Sequence, residues 1–293
     1  VQHIWMQPWR NLKNYLGRAK EAWGDRIVKD IQYGDIEDFL LAQDLSPKTR
    51  NNIKSALNSF WNWLRKRRLI KVEDIPEFPE VRFELRFRKL VDKETQRKIL
   101  DEVKRISYEV NPKIWLGIKW LSTYVNVRPG ELIQIKEGDI LLDQGMILIP
   151  HPKEKKPKPV VLLDEDVELL SRFPRALPRV PFFRHHGNRN RSRAGQPFGD
   201  KYFWKWWKKA CSNLGIEGVD LYGGTRHSSA TALQEYFSPE EIKEATMHGT
   251  NTAFQRYFRT DIRRLKAVYE KANGGKDEQK EAGKVVEGEF GAG

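Results

Sequence analysis

Pro76 and Pro79, within KVEDIPEFPEVRFELRFRKLVDKE, forbid a helix through that stretch. Each lacks a backbone N–H and pushes the residue before it out of helical geometry. Ile75 and Phe78 are therefore expected to be extended, and the basic residues that follow suit a strap lying along phosphates. The chain is cut here into two parts. Upstream, LSPKTRNNIKSALNSFWNWLRKRR carries Ser46 as an N-cap, Pro47 at the first helical position, and Ile53, Leu57, Phe60 and Leu64 on one face. Lys48, Arg50, Lys54 and Asn58 fall largely elsewhere, either as a solvated charged face or as a surface for a polyanion. With helices around Trp9–Trp23 and Asp35–Gln43, residues 1–75 predict a small all-helical domain, and residues 76–91 a linker.

Downstream, residues 92–273 predict a second domain. Helical patterns run through KETQRKILDEVKRI and IWLGIKWLSTY. MILIP and PVVLL flank the loop HPKEKKPK and read as a β-hairpin with a lysine-rich connection. PRALPRVPFFRHHGNRNRSRAGQPFGD reads as an irregular basic loop. KYFWKWWKKACSNLG is a helix with aromatic residues on more than one side; because a duplex hides its bases, these tryptophans are read as core rather than as stacking platforms. Residues 274–293, polar and Gly-rich, are expected to be disordered. The fold class is mostly α with a small β-hairpin or sheet.

Charge narrows the partners. The chain has 53 Lys+Arg against 40 Asp+Glu, a formal +13. An excess of cations favours a polyanion, since each phosphate neutralised releases condensed counterions. Cys211 is the single cysteine, which excludes an intramolecular disulfide and a Cys-rich zinc site and reads as a small packed residue. No apolar run of about eighteen residues appears, and VQHIWMQPWR lacks a signal pattern. A soluble, cytoplasmic, DNA-associated protein without membrane contact is expected. The first residue is Val1, not Met, which leaves an upstream segment an open question.

The stretch RHSSATALQEYFSPEEIKEATMHGTNTAFQRYFR, Arg226 to Arg259, sets a phenol among cations. Phe254, Tyr257 and Phe258 share the spacing of a buried helical face, so packing alone accounts for Tyr257 but not for His227 and His248. A similar arginine, Arg128, stands in YVNVRPGELIQI just ahead of a Pro-Gly helix start with Glu131 in its first turn. Taken alone, such an arginine is a surface residue or an ion-pair partner. The order Arg128, lysine hairpin, Arg226-His227, His248, Tyr257 resembles the catalytic domain of the tyrosine recombinases, the phage-integrase family. VRPGEL, RHSSAT, QRY and the nine residues from His248 to Tyr257 carry the likeness. The preceding helical unit is similar to that family's core-binding domain.

The resemblance implies roles. Arg128 and Arg226 clamp the non-bridging oxygens of one phosphate, a task suited to guanidinium forks that stay charged. His248 donates a further hydrogen bond, and Tyr257 attacks phosphorus. A phenol with an ordinary pKa of about 10 is a weak nucleophile near neutrality, and surrounding cations favour the developing phenolate. Lys153 is the first choice for general acid, with Lys155 and Lys156 within slippage of it. His227 positions its neighbours. Lys48, Arg50, Lys54, Arg86 and Arg88 are expected on DNA. No metal and no cofactor is implied, because preorganised donors meet the charge of the phosphorane and the phosphotyrosyl bond stores the energy of the phosphodiester.

The implied activity is a site-specific DNA recombinase working through a 3′-phosphotyrosyl intermediate. Its partners are double-stranded DNA, gripped by a two-domain clamp, and three further copies in a tetramer on two sites. The segment DIRRLKAVYEKA is the candidate for docking on a neighbouring copy. The alternatives are a type IB topoisomerase-like enzyme and a DNA-binding protein that does not cut. One departure stands out: three residues before the second arginine, where the family usually has His, this chain has Gly223. Tyr222 either takes part as a supporting group or is a packing tyrosine.

Overall fold

The computed structural model describes residues 2–84, 88–150, 152, 158–186 and 194–247, and of residues 2–9 the backbone only. The chain divides into two compact units, residues 1–86 and 87–293.

The first unit contains α1 (Gln2–Trp23), α2 (Tyr33–Leu41) and α3 (Pro47–Lys66). Ser46 caps α3 as expected, its hydroxyl accepting from the Thr49 N–H at 3.3 Å, with Pro47 in the first turn. Arg65 and Lys66 lie in the last turn, where the helix dipole favours cations. The buried face of α3 is Ile53, Ala56, Leu57, Trp61 and Leu64. Phe60, expected on that face, is only half-buried, and the larger Trp61 takes the central place, packing edge-on against Phe78 at 6.0 Å between ring centroids. Ile75, Phe78 and Val81 all close on this core. The first half of the strap is thus extended backbone tied to the helical unit by its apolar side chains.

The second unit begins with α4 (Lys93–Ser107) and α5 (Pro112–Thr123). Asp92 caps α4 through the Thr95 N–H at 2.7 Å, and Asn111 caps α5 through the Lys113 N–H at 3.1 Å. α5 is the central helix: Ile114, Leu116, Ile118, Trp120 and Leu121 are all fully buried. After the short α6 (Pro129–Leu132) comes an antiparallel sheet of three strands, β1 (Ile140–Leu141), β2 (Met146–Ile149) and β3 (Lys158–Val161), in the order β1-β2-β3. The expected hairpin is present, with Ile147 opposite Val160 and Ile149 opposite Lys158. β1 is an addition, too short to show an alternating pattern.

α7 (Asp164–Ser171), α8 (Tyr202–Asn213), α9 (Ser228–Ala232) and α10 (Pro239–Thr246) complete the described unit. α8 buries Phe203, Trp207, Ala210 and Cys211, so one of its three tryptophans is core as expected, while Trp206 is half-buried against that core and Trp204 is exposed. The Pro- and Arg-rich segment ahead of α8 departs from a plain surface loop: Phe182 and Phe183 pack against Trp120 in the centre of the unit. No helix among the described residues is long and apolar enough to cross a membrane.

Candidate active site

Arg128 immediately precedes α6. Its backbone N–H donates to Glu131 Oε2 at 3.2 Å, and its Nη1 donates to Glu131 Oε1 at 2.8 Å. Pro129 fixes the first turn and puts Glu131 one turn on, so a single carboxylate closes the helix start and orients the guanidinium. The loop before Arg128 is braced from below. The Tyr124 hydroxyl donates to Asp166 Oδ2 at 2.6 Å and accepts from the Leu163 N–H, while Lys119 Nζ lies 2.6 Å from Asp166 Oδ1. Burial first, and then the hydrogen bond to the carboxylate, pushes the Tyr124 phenol well above its ordinary range. That phenol is a structural group, not a nucleophile.

β3 contributes a residue that the sequence reading passed over. Alternation along the strand turns Lys158 and Val160 inward and leaves Pro159 and Val161 exposed. Lys158, 0% exposed, donates from Nζ to Glu131 Oε2 at 2.6 Å and to the Asn126 carbonyl at 2.8 Å. The signal was its in-phase spacing with Val160 and Leu162. The preceding lysine run disguised it as one more surface charge.

Arg226 approaches from the other side. It lies in a wide π-type turn, Gly223–His227, a form often found at functional sites. Arg226 is 1% exposed. Its Nη2 donates to the Thr246 carbonyl at 3.0 Å and its Nη1 lies 3.5 Å from the Asn126 carbonyl. Asn126 also reaches Met247 through its amide, 3.9 Å from the sulfur. The segment leading into His248 is thereby tied to the same point as both arginines. Arg128 and Lys158 share one carboxylate, Glu131, and Arg226 joins them through the Asn126 carbonyl that Lys158 also reaches. A positive, largely buried cluster of this kind suits an anion with developing charge.

Two glycines ahead of Arg226 are demanded by close packing. A Cβ on Gly224 would lie 2.1 Å from Cζ2 of Trp207, and one on Gly223 would lie 2.5 Å from the carbonyl oxygen of Lys89 in the strap. The strap is stitched to this segment. The Val91 N–H donates to Ser228 Oγ at 2.9 Å, which donates to the Gly223 carbonyl at 2.8 Å; Lys89 Nζ reaches the Glu217 carbonyl at 2.8 Å.

No protein-family model matches the sequence, and no curated protein does. Solved structures do. The Tn1549 transposon integrase in complex with a circular intermediate DNA aligns with 92% of this chain and 94% of its own, at 14% identity and a TM-score of 0.68. The XerH site-specific recombinase bound to a palindromic difH substrate aligns with 90% of this chain and 77% of its own, at 21% identity and a TM-score of 0.65. A lambda integrase dimer bound to a COC′ core site aligns with 89% of this chain and 75% of its own, at 14% identity and a TM-score of 0.61.

The chain has the tyrosine recombinase fold.

Within that fold the expected residues are distributed unevenly. Arg128 and Arg226 come together. Tyr222, half-buried, sits under the Arg88 guanidinium at 5.3 Å from ring centre to Cζ and edge-on to His227 at 6.2 Å between centroids. Arg88 is ion-paired with Asp220. Lys48, Arg50 and Lys54 lie on α3 of the first unit, Lys48 exposed with its Nζ 4.2 Å from the centre of the Phe83 ring, Arg50 and Lys54 half-buried. Lys153, Lys155, Lys156, Arg86, His248, Tyr257 and the 274–293 tail lie outside the described residues. Among the described residues no three His, Cys, Asp or Glu side chains are grouped to hold a metal.

Proposed function

We propose that this chain is a DNA strand transferase, a site-specific recombinase of the tyrosine class. The observation that carries the reading is the convergence of Arg128 and Arg226, about a hundred residues apart in sequence, on the carboxylate–lysine–carbonyl link formed by Glu131, Lys158 and Asn126. Two guanidinium groups tied to one largely buried, positively charged link fit the two non-bridging oxygens of a phosphodiester. The three solved neighbours described above are integrases or recombinases in DNA complexes.

In this mechanism the Tyr257 phenol loses its proton and its oxygen attacks phosphorus. The P–O5′ bond breaks, and Lys153 supplies a proton to the departing 5′ oxygen. Arg128, Arg226 and His248 stabilise charge on the non-bridging oxygens throughout. A 5′ hydroxyl from a partner strand then reverses the steps and releases Tyr257. Lys48, Arg50 and Lys54 bind phosphates away from the cut, and four copies on two duplexes complete the exchange.

The test is a two-site recombination assay beside a supercoil-relaxation assay with the same protein. Recombinant product together with a covalent complex on a nicked duplex is expected. Relaxation without recombinants points to a type IB topoisomerase-like enzyme, and DNA binding without a covalent complex to a non-cleaving protein.

A further inference from the structure

We propose that Lys158 is a positioning residue for both arginines, an inference that rests on the strand-transfer reading above. Lys158 opens β3, directly after the lysine-rich segment 153–157 of the sequence, and its side chain is fully buried while that of Pro159 is exposed. Its ammonium makes two contacts that lead to different arginines. Glu131 Oε2, 2.6 Å away, belongs to the carboxylate whose other oxygen holds Arg128. The Asn126 carbonyl, 2.8 Å away, is also approached by Arg226.

Electrostatics explains why a lysine is needed there. With Arg128 alone, Glu131 would form a one-to-one ion pair and largely cancel the charge that a phosphate must feel. Lys158 shares that carboxylate, so the cluster of Arg128, Lys158, Arg226 and Glu131 keeps a net positive charge at a site where screening by water is weak. Of the three cations, only Arg128 retains appreciable side-chain exposure, 18% against 0% for Lys158. Lys158 is therefore deeper than Arg128, with its ammonium on a carboxylate and a carbonyl. It acts on the reaction through Arg128 and Arg226, and the proton donor is a different lysine.

The experiment uses the full chain and a nicked duplex carrying its recombination site. Lys158→Met keeps the side-chain length and removes the charge. It is expected to bind DNA within about threefold of the wild type and to cleave at least a hundredfold more slowly. A 5′-bridging phosphorothiolate, whose thiolate leaves without acid help, is expected not to restore the rate. Arg128→Ala added to Lys158→Met is expected to cost much less than Arg128→Ala alone, since both act on the same charge.

Wild-type cleavage by folded Lys158→Met overturns the proposal. Rescue by the phosphorothiolate also overturns it and makes Lys158 the general acid. If Lys158→Met does not fold, Glu131→Gln, which keeps the shape and frees the ammonium, is expected to slow cleavage at least tenfold; an unchanged rate overturns the proposal. If the wild type forms no covalent complex on any duplex, the strand-transfer reading is what fails. The pairing is then decided by denaturation of Lys158→Met, Glu131→Gln and the double variant. Coupling of at least tenfold in the folding equilibrium supports it, and additivity overturns it.

Discussion

The carbonyl oxygen of Lys89 stands 2.5 Å from the point where a Cβ on Gly223 would begin. Backbone, not a flexible side chain, occupies the space in which a residue three positions before Arg226 would place its side chain. The path of the strap therefore requires a glycine at position 223. Gly223→Ala is expected to destabilise the protein by about 1–3 kcal/mol through overpacking. Gly223→His, which introduces the residue that the sequence resemblance leads one to expect there, is expected to lower both stability and cleavage. Chemical denaturation and single-turnover cleavage of the two variants check this.

Lys113 gives a pH signature to the second unit. Its ammonium is buried 3.3 Å from Glu137 Oε1 and 3.0 Å from the Phe182 carbonyl, while Arg184 pairs with the same carboxylate. Burial lowers its pKa to about 8, against the partial opposition of Glu137. The folded pKa is below the unfolded one, so between about pH 8 and 10.5 the unfolded chain binds the extra proton and stability rises with pH. Other groups titrate in that window, which makes Lys113→Met the reference. The wild type is expected to gain about 2 kcal/mol relative to this variant between about pH 7 and 9.5. Denaturation curves at the two pH values show whether the difference grows.

Cys211 is buried in α8, and burial pushes its thiol up to about 11. Alkylation by iodoacetamide near neutrality is expected to be at least a hundredfold slower in the folded protein than in denaturant. Strand transfer is expected to survive the treatment. Rapid labelling of folded protein contradicts the packing described for α8.

The start of α3 was legible in the sequence, since Ser46-Pro47 caps by local chemistry that needs no tertiary context; Asp92 and Asn111 cap α4 and α5 in the same way but were not singled out. Arg128 and Arg226 were legible through short motifs. Lys158 was not, because a lysine at the end of HPKEKKPK looks like its neighbours until the strand's inward register is fixed by Ile149 opposite it. Phe182 and Phe183 were hidden in the same way, their local sequence being rich in proline and arginine while their burial is set by Trp120 on a distant helix. Trp61 displaced Phe60 because a helical stripe is wide enough to admit either, and Phe78 of the strap selects the larger ring.

Leaving-group chemistry separates the lysines of segment 153–157. Lys153→Ala is expected to slow cleavage of an ordinary phosphodiester at least a hundredfold, because an unprotonated alkoxide leaves poorly. On a 5′-bridging phosphorothiolate the variant is expected to recover to within about tenfold of the wild type, since a thiolate needs little acid help. Arg128→Ala is expected to stay slow on both substrates. Rescue of Lys155→Ala or Lys156→Ala, with Lys153→Ala near normal, transfers the role to that residue.

Trapping on a nicked suicide duplex asks whether Tyr257 forms a covalent bond with DNA. Cleavage there frees a short 5′ fragment and prevents religation. The wild type is expected to give a covalent protein–DNA band whose digestion yields a peptide carrying a nucleotide on Tyr257. Tyr257→Phe, which lacks only the hydroxyl, is expected to bind the duplex with unchanged affinity and give no band. A band of undiminished intensity from Tyr257→Phe excludes Tyr257 as the nucleophile.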